Sequence, residues 1–151
     1  FKNMTVTNTS EDGEGIRMRN AKVELMDVAL TECGHAALYI PSPTSETTLV
    51  ATRCEFANSS NGAVVNGSLS SATFKNCVFH DNRSYGIYAS NSATIHLHGE
   101  ATAIHSNRSG IAAYTSCKVI IHLPSNHNTS YNNTGEDRST VNGGTITNVE
   151  D

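Results

Sequence analysis

Apolar residues fall at offsets 0, 2, 5 and 7 in Ala72, Phe74, Cys77 and Phe79, with polar residues between them. The same spacing holds Val23, Leu25, Val28 and Leu30, then Leu49, Ala51, Cys54 and Phe56. It returns at Ile95, Leu97, Thr102 and Ile104, with two extra residues around His98-Gly99-Glu100. Taking the second position as the mark gives Phe1, Leu25, Ala51, Phe74, Leu97, Ile121 and Ile146, separated by 24, 26, 23, 23, 24 and 25 residues. A further element follows each template: Gly15-Ile16-Arg17-Met18, Gly62-Ala63-Val64-Val65, Gly86-Ile87-Tyr88-Ala89 and Gly110-Ile111-Ala112-Ala113. In the second coil His35 to Ile40 takes its place without the glycine. Alternation with period two predicts strands with one face in and one face out. No helical i, i+3, i+4, i+7 pattern is sustained anywhere.

Each coil thus predicts three short strands, each too short to stand alone. Stacking pairs every strand in parallel with its counterpart one coil on and builds a continuous core. In the third element, alternation directs Ile16, Met18, Leu38, Val65, Ile87, Ala89, Ile111 and Ala113 inward. It directs Arg17, Arg19, Tyr39, Val64, Asn66, Tyr88, Ala112 and Tyr114 outward. The stretch from Asn126 to Gly144 lacks the pattern and reads as one long turn.

Repeats such as Asn76-Cys77-Val78-Phe79-His80-Asp81-Asn82 and Gly86-Ile87-Tyr88 resemble those of right-handed parallel β-helix proteins, including the pectin-lyase-like superfamily. The resemblance covers the whole chain. It implies an all-β, right-handed, single-stranded parallel β-helix of about six coils of about 24 residues, a single domain over 1–151. The later part, with Thr94-Ile95-His96-Leu97-His98-Gly99 and Ile121-His122-Leu123-Pro124-Ser125, resembles uncharacterised repeat proteins of algae, protists and large viruses. Phe1 and Ile146 both fall inside the template, so the expectation is a segment of a longer chain whose open ends meet neighbouring coils or chains.

Composition narrows the function. Charged residues make up 16% and the net charge is -4, without a basic run, which gives no footprint for nucleic acid. No apolar stretch is long enough for membrane insertion. Ser and Thr number 34 and Asn 16, a turn-rich content. Eight Asn-x-Ser/Thr sequons, at Asn3, Asn8, Asn58, Asn66, Asn82, Asn107, Asn128 and Asn132, are about twice the chance number. They suggest a glycoprotein in an extracellular, cell-surface or virion setting.

Cys54 and Cys77 share an inward position in successive coils, and a column of core thiols is expected there rather than a disulfide. Cys33 reads as a turn residue and Cys117 precedes the sixth coil. Among seven histidines the register stacks His80 on His105 and His98 on His122, with His96 also outward. Only Asp81 or Glu100 offers a third ligand, so no metal and no cofactor is expected.

His80, Asp81, Arg83, His105 and Arg108 are weak catalytic candidates, since an arginine, an imidazole and a carboxylate can abstract a proton beside a uronate carboxylate. The motifs of the family's enzymes are incomplete. Gly34-His35-Ala36 stands where polygalacturonases carry Gly-His-Gly, Phe79 precedes His80-Asp81 where epimerases carry Asp-Pro, and Asp81 lacks the carboxylate neighbours of a calcium cluster. The alternative for these turns is a ladder of Asn side chains that satisfies backbone from coil to coil. Arg17, Arg19, Tyr39, Tyr88 and Tyr114 form the candidate ligand face, suited to polysaccharide.

The leading expectation is a non-enzymatic structural or carbohydrate-binding module. The alternatives are a lyase or C5-epimerase acting on acidic polysaccharide, and an intracellular protein-recognition module.

Overall fold

Asparagine and its neighbours bend the chain at regular intervals. A computed structural model describes residues 1–150. In it Asp27, Arg53 and Asn76 adopt φ of 54°, 50° and 52° at one corner of successive coils. Glu32, Asn58, Asp81, Ser106 and Asn132 do so at the next corner, with φ from 51° to 57°. Asn and Asp enter this left-handed region more readily than most residues, which accounts for much of the polar composition.

Between corners the alternating segments are strands. The chain runs β1 (Lys2–Thr7), β2 (Glu14–Arg17), β3 (Lys22–Thr31), β4 (Ala36–Ile40), β5 (Thr47–Thr52) and β6 (Glu55–Ala57). It continues through β7 (Asn61–Asn66), β8 (Ser70–Lys75), β9 (Val78–His80), β10 (Tyr85–Ser90), β11 (Thr94–His98) and β12 (Ala103–His105). The last coils hold β13 (Ser109–Tyr114), β14 (Lys118–Ile121), β15 (Ser130–Tyr131), β16 (Arg138–Val141) and β17 (Thr145–Asn148). The described residues contain no helix.

Every pairing is parallel and joins a strand to its counterpart one coil away, such as Leu49↔Ala72, Phe56↔Phe79 and Ile87↔Ile111. Three faces result. The first stacks β3, β5, β8, β11, β14 and β17; the second stacks β6, β9, β12 and β15; the third stacks β2, β4, β7, β10, β13 and β16. The long strand β3 bends across the first corner and pairs with β5 and then β6, which joins the first two faces into one sheet. The molecule is a three-sided parallel β-solenoid.

The core is one column. Phe56 stacks on Phe79 with ring centroids 4.7 Å apart, and Phe74 meets Phe79 edge-on at 5.0 Å. Leu25, Leu49, Ile95, Leu97, Ile104 and Ile121 continue the column, all essentially without exposure. Cys54, Cys77 and Cys117 lie within it, and Cys33 is buried beside it.

Cys33 lies in the turn between β3 and β4, as expected, and is buried there: Ser59 Oγ accepts from its N–H at 3.0 Å, and its thiol lies 3.5 Å from the Thr31 carbonyl. Two expectations change. The segment from Asn126 to Gly144 is not one long turn, because β15 and β16 continue the second and third faces. Its inward position is the polar Ser130, whose hydroxyl donates to Asp137 O at 2.6 Å, so hydrophobic alternation is absent where the strand persists. Val64 and Ala112 point away from the core yet are buried, because Tyr39 and Tyr88 flank Val64 and Tyr88 lies beside Ala112 in register.

Candidate functional site

The second corner is a buried ladder. Asn82 Nδ2 donates to Phe56 O at 3.1 Å and to Asn107 Oδ1 at 2.9 Å. Asn107 Nδ2 donates likewise to Phe79 O at 3.1 Å and to Asn133 Oδ1 at 3.0 Å. The backbone N–H of each rung donates to the Oδ1 of the next, and Asp137 Oδ1 closes the series at Asn133. These amides replace the hydrogen bonds that a sheet would have supplied to backbone at the corner. Asn82 and Asn107 are 2% and 1% exposed, so a glycan on either is incompatible with this fold. Asn3, Asn8, Asn58, Asn128 and Asn132 are exposed, and Asn66 is half-buried with its Oδ1 accepting from Ser90 Oγ.

The proposed proton-abstraction cluster lies on the second face and the corner beyond it. His80 stacks on His105 at 5.5 Å, as the register implies, and His105 stacks on Tyr131 at 5.5 Å. Glu55 Oε1 lies 2.6 Å from His80 Nε2, and Asp81 Oδ2 lies 2.5 Å from Nδ1. Burial pulls the imidazole pKa down, but the hydrogen bonds it makes to Asp81 and Glu55 outweigh it and raise it above the ordinary value. A carboxylate on each nitrogen favours the imidazolium form, in which neither nitrogen has a lone pair to accept a proton. Arg83 Nη2 donates to the Gly34 carbonyl at 3.2 Å. Asp81, Arg83 and Arg108 line a shallow groove over the Asn corner.

The third face divides its tyrosines in two. Tyr39 and Tyr88 share a row with Arg17 and Val64, whereas Tyr114 lies two residues further along its strand, so the three do not form one column. Arg17 Nη1 lies 3.1 Å from Glu14 Oε1, and its guanidinium covers the Tyr39 ring at 5.0 Å. Arg19 is exposed. The other group is denser: Tyr88 meets Tyr85 at 5.1 Å and Tyr114 at 5.2 Å. Burial and a hydrogen bond with Tyr114 push the Tyr85 phenol up. An open groove of about 490 Å³ beside them is lined by Tyr85, Arg108, Tyr114, Glu136 and Ser139.

Tyr85 escapes the alternation because the pattern breaks at Gly86. A Cβ there would meet Ile104 Cγ2 at 2.6 Å and Asn107 Nδ2 at 2.9 Å, so Gly86 faces inward and the preceding tyrosine faces out. Arg108, a candidate for the corner cluster, also borders the tyrosine groove.

On the first face His98 stacks on His122 at 4.0 Å, again as the register implies. Register alone leaves His96 out of this pair, yet its Nδ1 lies 2.8 Å from His122 Nε2. The signal in the sequence is the two-residue spacing of His96 and His98, which puts both on the outward side of one strand. All four cysteines are unpaired. The hydrogen bond with Cys54, and then burial, push the Cys77 thiol far above its ordinary range.

Comparison with known families finds a matching model, described as a right-handed β-helix region, over residues 1–150. No curated protein and no solved structure gives a significant match.

Proposed function

Since the chain belongs to the right-handed β-helix family, we propose that it is a non-enzymatic module that holds an extended polysaccharide against its third face. The observation that carries this reading is the contiguous Tyr85–Tyr88–Tyr114 surface with Arg108 at its edge. Aromatic rings give sugar rings an apolar platform with hydroxyls at the margin, and a guanidinium pairs with carboxylate or sulfate. An open groove on a stack of coils suits a polymer better than a compact metabolite, which favours enclosed cavities. Arg17 contributes less than its position in the sequence suggests, because Glu14 already offsets its charge.

The clamped His80 weighs against the lyase or epimerase alternative. Five exposed sequons support placement outside the cell, on a cell surface or on a virion, with the solenoid as a rigid support. Affinity electrophoresis in gels containing uronate, sulfated or neutral polysaccharide tests the reading. Retardation by an acidic polymer that weakens with salt and is lost in Tyr88→Ala is expected. No retardation by any polymer, or retardation indifferent to Tyr88→Ala, refutes it.

A further inference from the structure

A second site of different chemistry lies on the first face, away from the tyrosines. His96 and His98 project from the same side of β11, and His122 follows β14, the next strand of that face. The rings pack against one another, with centroids 5.1 Å apart for His96–His122 and 4.0 Å for His98–His122. One ring nitrogen from each of the three lies within 4.8 Å of the others. We propose that His96, His98 and His122 form a three-imidazole site for a borderline transition-metal dication, with Zn²⁺ as the reference case.

The donor set fits. Zinc takes imidazole nitrogens at about 2.0–2.1 Å in a tetrahedron, which places neighbouring nitrogens roughly 3.3 Å apart. The His96 Nδ1 and His122 Nε2 atoms are already 2.8 Å apart, joined by a hydrogen bond. A bound metal requires these two nitrogens to separate by about half an ångström, and His98, now stacked on His122, to turn so that its lone pair converges on the same point. Two parallel strands hold the backbone, so the three side chains need little reorganisation. Lys75 lies beside His98 in register and opposes a cation, but its side chain is exposed and free to swing into solvent. With three protein ligands a fourth position stays open to water or an anionic ligand. An open groove beside His122 is lined also by Ser125 and Glu150.

Calorimetric titration of the purified chain with Zn²⁺, and Co²⁺ absorption spectroscopy, test the assignment. One equivalent should bind, with the strong visible absorption of four-coordinate cobalt. His96→Gln, His98→Gln and His122→Gln should each weaken binding roughly tenfold or more, while His80→Gln leaves it unchanged. Circular dichroism confirms that each variant keeps its strands. No stoichiometric binding, or binding that survives all three substitutions, overturns the proposal.

Discussion

Replacing Asn107 by Ala removes the middle rung of the buried corner ladder. In the wild type its Oδ1 accepts from the N–H of Asn82 at 3.1 Å and its Nδ2 donates to Phe79 O at 3.1 Å. The Ala variant leaves both backbone groups short of a partner at a site 1% exposed. At about 1–3 kcal/mol for each orphaned group, the loss is about 2–6 kcal/mol, with the low end reached if water enters the space. Asn107→Asp is the sharper variant. It places an oxygen where Nδ2 stood, facing the acceptors Phe79 O and Asn133 Oδ1. Its destabilisation should therefore exceed that of Ala at neutral pH and shrink in acid, as a protonated carboxyl regains a donor. Ser109→Ala deletes the same sequon without touching the ladder and should stay within about 0.5 kcal/mol of wild type. Urea unfolding followed by far-ultraviolet circular dichroism reads all three. Equal midpoints for wild type and Asn107→Ala would show that the corner is not held by these amides.

Phe79→Ala opens the stack between Phe56 and Phe74 and should cost roughly 3–5 kcal/mol in the same assay; a cost below about 1 kcal/mol would mean that the core collapses around the gap. His80, raised in pKa by Asp81 and Glu55 against the pull of burial, should titrate above an ordinary histidine by NMR. Its charged form therefore contributes stability that is fully present below the unfolded-state pKa and is lost as pH rises through the folded one. His80→Gln should flatten that part of the pH–stability curve, and an unchanged curve would show that the two carboxylates do not hold the ring charged.

The fold is legible in the sequence because burial imposes a repeated period. The inward template positions of the inner coils, such as Leu25, Val28, Phe74 and Phe79, are in the core, whereas Phe1 in the first coil is exposed and Val23 and Ile146 are only partly buried. Legibility fades where polar atoms carry the packing. Ser130 takes an inward place in β15 without being apolar, and Cys33 joins the column of corner residues through Ser59 rather than through hydrophobic contact. Register can place His80 over His105 and His98 over His122, since it compares equivalent positions. It cannot reveal the diagonal approach of His96 to His122, or the clamp of Glu55 on His80, which depend on side-chain rotamers across strands. The tyrosine surface is half visible. Tyr88 and Tyr114 follow the alternation, while Tyr85 is set by the break at Gly86.

Tyrosine fluorescence tests the proposed binding face most directly, because the chain has five tyrosines and no tryptophan. Three of the five make up the cluster at Tyr88, so a ligand seated there must alter a large part of the emission. Titration with acidic oligosaccharides of increasing length should give a saturable change whose affinity rises with length, and Tyr88→Ala and Tyr114→Ala should abolish it. Emission that stays constant across the length series, or a response that persists in both variants, would contradict the account.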